Sequence, residues 1–265
     1  MIRDITIGQY YQTDSVIHRL DPRVKLGGTL LYIVTLFLVG NVWGYLLATL
    51  ALAAVIKLSK VPFGFITRGM RAIAFLLAIT VVFNMFLTPG TPIFSFWILT
   101  LTWEGLRTAV FMGWRLCLLI IGSSLMTLTT TPNHLTDGLE KSLKPLNKIG
   151  VPVHEIAMMM SISLRFIPIL LEETDKIMKA QIARGADFES GNLIQKAKAM
   201  VPLLVPLFIS AFRRANDLAM AMESRCYRGG EGRTKMKPLI YQKADRLAYL
   251  CILAAMALII FVGRL

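Results

Sequence analysis

Apolar positions in this chain fall into blocks, and the rhythm of those blocks changes past the middle. Residues 26–56 are almost wholly apolar. As one helix they would extend about 46 Å, well past a hydrocarbon core of about 30 Å. Gly40-Asn41-Val42-Trp43-Gly44 offers a turn inside the run, which predicts two short spans over 26–40 and 42–57. A third span covers 72–88, a fourth 105–128 ending at Thr-rich TLTTTP, and a fifth 247–262. Between the third and fourth lies TPGTPIFSFWILTLTWE, where Pro89-Gly90 and Pro92 break any helix. Its apolar part, 93–103, fits either a small hairpin or a re-entrant piece at the membrane interface, a comfortable place for Trp97 and Trp103.

From residue 131 the pattern becomes helical and amphipathic rather than membrane-spanning. Asn133 or Thr136 caps a short helix over 134–147, and Pro152 starts a longer one reaching Ile182. Another begins near Asn192. Along it Leu193, Ala197, Val201, Leu204, Phe208, Ala211, Ala215, Leu218 and Met222 recur at steps of three or four, forming one apolar stripe. Its stretch 199–211 is apolar enough to touch lipid or bury against the spans. Pro168, Pro202 and Pro206 should kink these helices. The expected architecture is an all-α polytopic membrane protein in three parts: four spans in 1–130, a cytoplasmic helical domain in 131–246, and a last transmembrane helix in 247–265.

The two long helices of the middle part end alike. One finishes in Ala183-Arg184-Gly185, the other in Ser224-Arg225-Cys226. Small neighbours let a helix end approach another protein closely and leave the guanidinium exposed. Complementation of the helix dipole explains either arginine alone, and Gly185 is a natural residue to follow a helix end. Two such ends on neighbouring helices fit a pair of docking plugs better.

Composition supports a membrane protein. Of 265 residues 55% are hydrophobic and 17% charged, with a net charge of +13. In a soluble chain that basicity would point to nucleic acid; in a polytopic one, basic cytoplasmic loops come first. Segments 1–25 and 57–71 each hold four Lys or Arg, and 88–104 holds none. The first two should face the cytoplasm and the third the outside. Segment 131–246 holds eighteen Lys or Arg against twelve Asp or Glu. The polar start of the chain up to Lys25 predicts no cleavable signal peptide.

Several chemistries find no support. The sequence has no GxxxxGK[ST], HExxH or GxSxG. Three cysteines (Cys117, Cys226, Cys251) and three scattered histidines (His18, His134, His154) supply neither a disulfide framework nor ligand spacing for a metal. Glu172, Glu173 and Asp175 beside Lys176 and Lys179 read as ordinary helix-surface charge. Arg115 lies well inside the fourth span and must face protein or water. It either contacts a partner subunit, or bonds a backbone carbonyl or snorkels. For the segment GQYYQTDSVIHRLDPRVK, a juxtamembrane lead into the first span and a packing or partner role remain equal alternatives; Asp21-Pro22-Arg23 marks the helix start.

Over nearly its whole length the chain resembles the transmembrane T component of energy-coupling factor (ECF) transporters. The resemblance rests on GQY and HRLDPRVKL within 8–26, LTTTPNHLTDGLE at 128–140, SLRFIPILLEETDKIMKAQIARGADF at 163–188, and the motif at 224–226. It implies a non-catalytic subunit in the cell membrane of a prokaryote, with the N-terminus and coupling domain cytoplasmic. Two ATP-binding-cassette (ABC) ATPases would bind the ATP, so this chain needs no cofactor. A separate membrane-embedded S component would bind a vitamin or metal ion and topple when ATP is used. No nucleic acid is involved. Carried over, Ala183, Arg184 and Gly185 form one ATPase-docking motif, and Ser224, Arg225 and Cys226 the other. The second departs from the usual Ala-Arg-Gly. Cys226 is small enough for docking, but it argues against a strained glycine-type turn at that end.

Two other readings compete. A conventional ABC importer permease with its own substrate path needs polar or ionisable residues lining several spans, and these spans are poor in them apart from Arg115. An integral-membrane enzyme needs acids or histidines clustered at the membrane face, and none is so arranged.

Overall fold

The structure is a computed structural model; it describes residues 10–96, 99–188, 192–230, 236 and 238–264. The helices are α1 (Val16–Arg19), α2 (Pro22–Leu38), α3 (Val42–Ser59), α4 (Phe63–Leu87), α5 (Trp103–Thr129), α6 (Pro132–Leu143), α7 (Val153–Ala183), α8 (Leu193–Ser224) and α9 (Lys243–Arg264). Strands β1 (Pro92–Phe96) and β2 (Leu99–Thr102) form an antiparallel hairpin between α4 and α5. The run 93–103 thus takes the hairpin form of its two alternatives, with Trp103 opening α5; Trp97 lies outside the described residues. A 3-10 turn, Lys144–Ile149, follows α6, so the regular helix there ends four residues before the expected 147. The third span is also longer than expected. With Pro62 at its N-cap, α4 runs back through the basic segment to Phe63.

Contacts divide the chain into two compact units. Of the described residues, the first carries those up to Lys141 and again from Leu239; the second carries those within Ser142–Pro238. In the first, buried residues of α2, α3, α5 and α9 form one apolar core, with Leu36, Tyr45, Ala48, Leu125, Leu128 and Ile259 at its centre. Gly44 of α3 and Gly263 of α9 meet there. A Cβ on Gly44 would lie 2.9 Å from the Gly263 Cα, so glycine sets how closely these helices cross.

Arg115 takes the second of its two readings. Its Nε donates to the Tyr45 hydroxyl at 2.7 Å, and its Nη2 to the Val39 carbonyl at 3.2 Å. The Tyr45 hydroxyl donates to the same carbonyl at 3.2 Å. Val39 is the C-cap of α2, whose carbonyl has no helical partner. The half-buried cation therefore satisfies a helix end and ties α5 to the α2–α3 turn.

The segment before α2 has a packing role. Asp21 caps α2 by accepting from the Arg23 N–H, and its own N–H donates to the Asp245 carboxylate at the start of α9, 2.8 Å away. Arg23 and Lys141 both donate to the Leu239 carbonyl, at 3.1 and 2.7 Å. Lys25 donates to the His18 and Thr129 carbonyls. The polar residues around Asp21-Pro22-Arg23 thus fasten the beginning of the first span to the last helix and to the end of α5.

Among the described residues, five helices are long and apolar enough to cross a membrane: α3, α5, α7, α8 and α9. Three coincide with expected spans. The other two, α7 and α8, were expected to be amphipathic only. The apolar part of α4 is the shorter stretch Ile73–Leu87, and α2 has 17 residues. A long helix with one broad apolar face carries as many apolar residues as a span.

Candidate docking ends

α7 and α8 lie side by side and antiparallel. The Gln181 Nε2 donates to the Pro202 carbonyl at 3.4 Å. Nearer the middle, Glu173 accepts from the Ser210 hydroxyl at 2.5 Å and from the Arg214 guanidinium at 2.8 Å. Beyond it, Ile162, Phe166 and Leu170 of α7 face Ala215, Leu218 and Met222 of α8 across an apolar groove of about 280 Å³. Gly230, just past α8, lies against the ring of His154 in the first turn of α7, where a Cβ would collide with it. As α7 descends in this pairing α8 ascends, so the two C-termini point to opposite ends of the pair.

Each C-terminus closes in the same way. Arg184 is the C-cap of α7 at φ −89°, ψ 4°, and Arg225 the C-cap of α8 at φ −92°, ψ 12°. The next residue is left-handed in both: Gly185 at φ 88° and Cys226 at φ 56°. The Gly185 N–H donates to the Ile182 carbonyl at 2.9 Å and Ala186 to Gln181 at 3.0 Å. Cys226 donates to Glu223 at 2.8 Å and Tyr227 to Met222 at 3.0 Å. These are the paired bonds of a Schellman ending, in which the left-handed residue turns the chain back over the last carbonyls. Ala183, Arg184, Gly185, Ser224, Arg225 and Cys226 are all exposed. The arginines stand where a helix C-terminus is most negative and where small neighbours leave room around them.

The expectation for Cys226 is corrected here. It sits in the left-handed region that the Cys-for-Gly difference argued against. The helix-ending hydrogen bonds hold it there, against a steric cost of about 1–2 kcal/mol for a residue with a Cβ.

Glu173 also departs from its sequence reading as surface charge. It bonds across to α8 rather than to Lys176 or Lys179 of its own helix. The Ser210 hydroxyl and the Arg214 guanidinium occupy both of its oxygens. A signal was present in the sequence. Glu173 follows Phe166 and Leu170 at helical steps of seven and three, which puts an acid on the apolar stripe. Such an acid needs a partner from the facing helix. Among the described residues, no three His, Cys, Asp or Glu side chains converge as a metal site.

The family model described as cobalt transport protein, CbiQ, matches residues 13–236. Similar proteins carry the name energy-coupling factor transporter transmembrane protein. That of Clostridium kluyveri is 60% identical over 255 residues, 96% of this chain and 94% of the relative. That of Thermosediminibacter oceani is 55% identical over 94% of both chains. That of Bacillus subtilis is 47% identical over 98% of this chain and 99% of its own. With identity at this level over almost the full length of both partners, the chain belongs to the family of energy-coupling factor transporter transmembrane proteins.

Proposed function

We propose that this chain is the coupling subunit of an ECF importer, a non-catalytic scaffold that carries the motion of two ABC ATPases to a membrane-embedded substrate-binding S component. The observation that carries this reading is the matched pair of arginine-capped endings at opposite ends of one antiparallel helix pair. An arginine presented at a helix end makes charge-assisted, often bidentate bonds to carboxylates in a groove. Two like presentations pointing opposite ways suit two similar receptors, one at each end. Ala183, Arg184 and Gly185 would enter one ATPase, and Ser224, Arg225 and Cys226 the other. ATP stays on those subunits, since this sequence has no phosphate-binding loop.

In this reading the N-terminus and residues 131–246 face the cytoplasm, following the distribution of Lys and Arg over the first three connections. The vitamin or metal ion is chosen by the S component, and the apolar faces of this chain meet lipid and that partner. Mild solubilisation of native membranes, capture of this chain and identification of the co-purifying proteins test the proposal. Two ATPase chains and one small apolar membrane protein are expected. A chain captured alone that itself binds the transported solute would instead identify a permease.

A further inference from the structure

We infer that Glu173, Ser210 and Arg214 form a central clamp that makes the two arginine-capped helix ends the tips of one rigid bar. The inference rests on the docking reading for its purpose and on the structure for its geometry.

The first observation is position. Arg184 lies eleven residues beyond Glu173, and Arg225 eleven residues beyond Arg214. At 1.5 Å per residue each arm measures about 16 Å. Because the helices are antiparallel, the arms extend in opposite directions from the clamp, and the tips stand roughly 30–35 Å apart along the axis.

The second observation is where the prolines fall. Pro168 precedes Glu173, and Pro202 and Pro206 precede Ser210. Both arms, 173–184 and 214–225, are free of proline. A proline inside a helix removes one backbone hydrogen bond and is the usual site of a bend. Each straight arm therefore lies beside the proline-bearing half of the other helix. The clamp joins the roots of the two straight arms, on the tip side of every proline.

The third observation is chemistry. Both Glu173 oxygens are used, one by the Ser210 hydroxyl and one by the Arg214 guanidinium. Two bonds from residues one turn apart fix translation and rotation of one helix against the other, which apolar contact alone leaves free to slide. Around the clamp the facing residues are apolar, including Leu170, Ala211 and Ala215. A slip along the axis would break both bonds, one of them charge-assisted. The helices thus hold one register where the arms begin, and bending is confined to the proline halves. Motion imposed at one tip reaches the other without being absorbed between them. Glu173, Ser210 and Arg214 are positioning residues in this scheme.

The experiment measures the distance between the tips in the full-length chain, purified alone. Spin labels go on Ile182→Cys and Met220→Cys, both exposed, with the native cysteines replaced (Cys117→Ala, Cys226→Gly, Cys251→Ala). Pulsed electron paramagnetic resonance should give one narrow distance distribution. Glu173→Gln and Arg214→Gln should each broaden it, and the milder Ser210→Ala should broaden it less. The exchange of charge, Glu173→Arg with Arg214→Glu, should restore the narrow distribution, which a general loss of packing would not do. Unchanged widths in Glu173→Gln and Ser210→Ala would overturn the clamp, as would a charge exchange no narrower than the single variants. A separate capture from membranes distinguishes the two readings. If the unaltered chain retains no ATPase, the docking proposal fails while the distance result stands on its own.

Discussion

Gly185 and Cys226 hold the same place in two helix endings and share the left-handed backbone, at φ 88° and 56°. The position, rather than the residue, dictates the conformation: the chain must double back so that two N–H groups reach the last turn's carbonyls. Glycine meets that demand freely and cysteine at a cost. Cys226→Gly should therefore stabilise the protein by up to about 1 kcal/mol, the relief being partly offset by glycine's greater freedom when unfolded. Gly185→Ala should destabilise by about 1 kcal/mol for the converse reason. No atom would crowd the new methyl, so the backbone is the sole source of strain. Thermal unfolding in detergent checks both; opposite signs at the two sites are the expected outcome.

For docking, Arg184→Glu and Arg225→Glu should each impair transport, and the double variant should release both ATPases from the membrane. Removing one partner of a buried charged pair costs about 2–5 kcal/mol, and reversing its charge more. A role limited to the helix dipole would cost about 0.3–1 kcal/mol of helix stability and leave assembly intact. Co-purification of the ATPases with each variant, beside a check of insertion, separates these results. Full retention of both ATPases by a correctly inserted double variant would remove the docking role.

Topology is open to a direct test. In a chain without native cysteines, Pro92→Cys and Ala186→Cys should react with a membrane-impermeant thiol reagent from opposite sides, position 92 from outside. The basis is four, four and no Lys or Arg over the first three connections. The same assay bears on α7 and α8, whose length and apolarity alone would permit them to span. Labelling of both positions from one side would reverse the assignment.

Tyr45→Phe should cost about 1–3 kcal/mol, because Arg115 loses its 2.7 Å acceptor inside a span and the α2 C-cap carbonyl loses one of two donors. The change leaves the buried ring in place, so packing is conserved. Adding Arg115→Met to Tyr45→Phe should cost less than the two single effects combined, since both remove the same bond. Unfolding midpoints of the single and double variants in one detergent decide this.

The helices were legible because apolar runs, prolines and glycines mark their limits locally: Gly40-Asn41 separates α2 from α3, and Pro152 precedes α7. The paired arginine ends were legible for the same reason, as each is a local motif of three residues. What escaped depends on partners distant in sequence. Arg115 finds Tyr45 seventy positions back, and Glu173 finds Arg214 forty-one positions on. Neither distance leaves a periodic trace. The φ of Cys226 escaped because the residue type argued one way and the hydrogen bonds of the turn another, and the bonds won.

The bond from the Asp21 N–H to the Asp245 carboxylate spans 224 residues. It also has a consequence in time. A ribosome adding about 5–20 residues per second needs roughly 10–45 seconds to make the intervening chain. Throughout that interval the start of α2 lacks its buried acceptor. The fastening of the first span is therefore among the last events of assembly, and the α9 segment decides when it happens. A nascent chain stalled before residue 243 would hold its first helices in place without the contact that locks them.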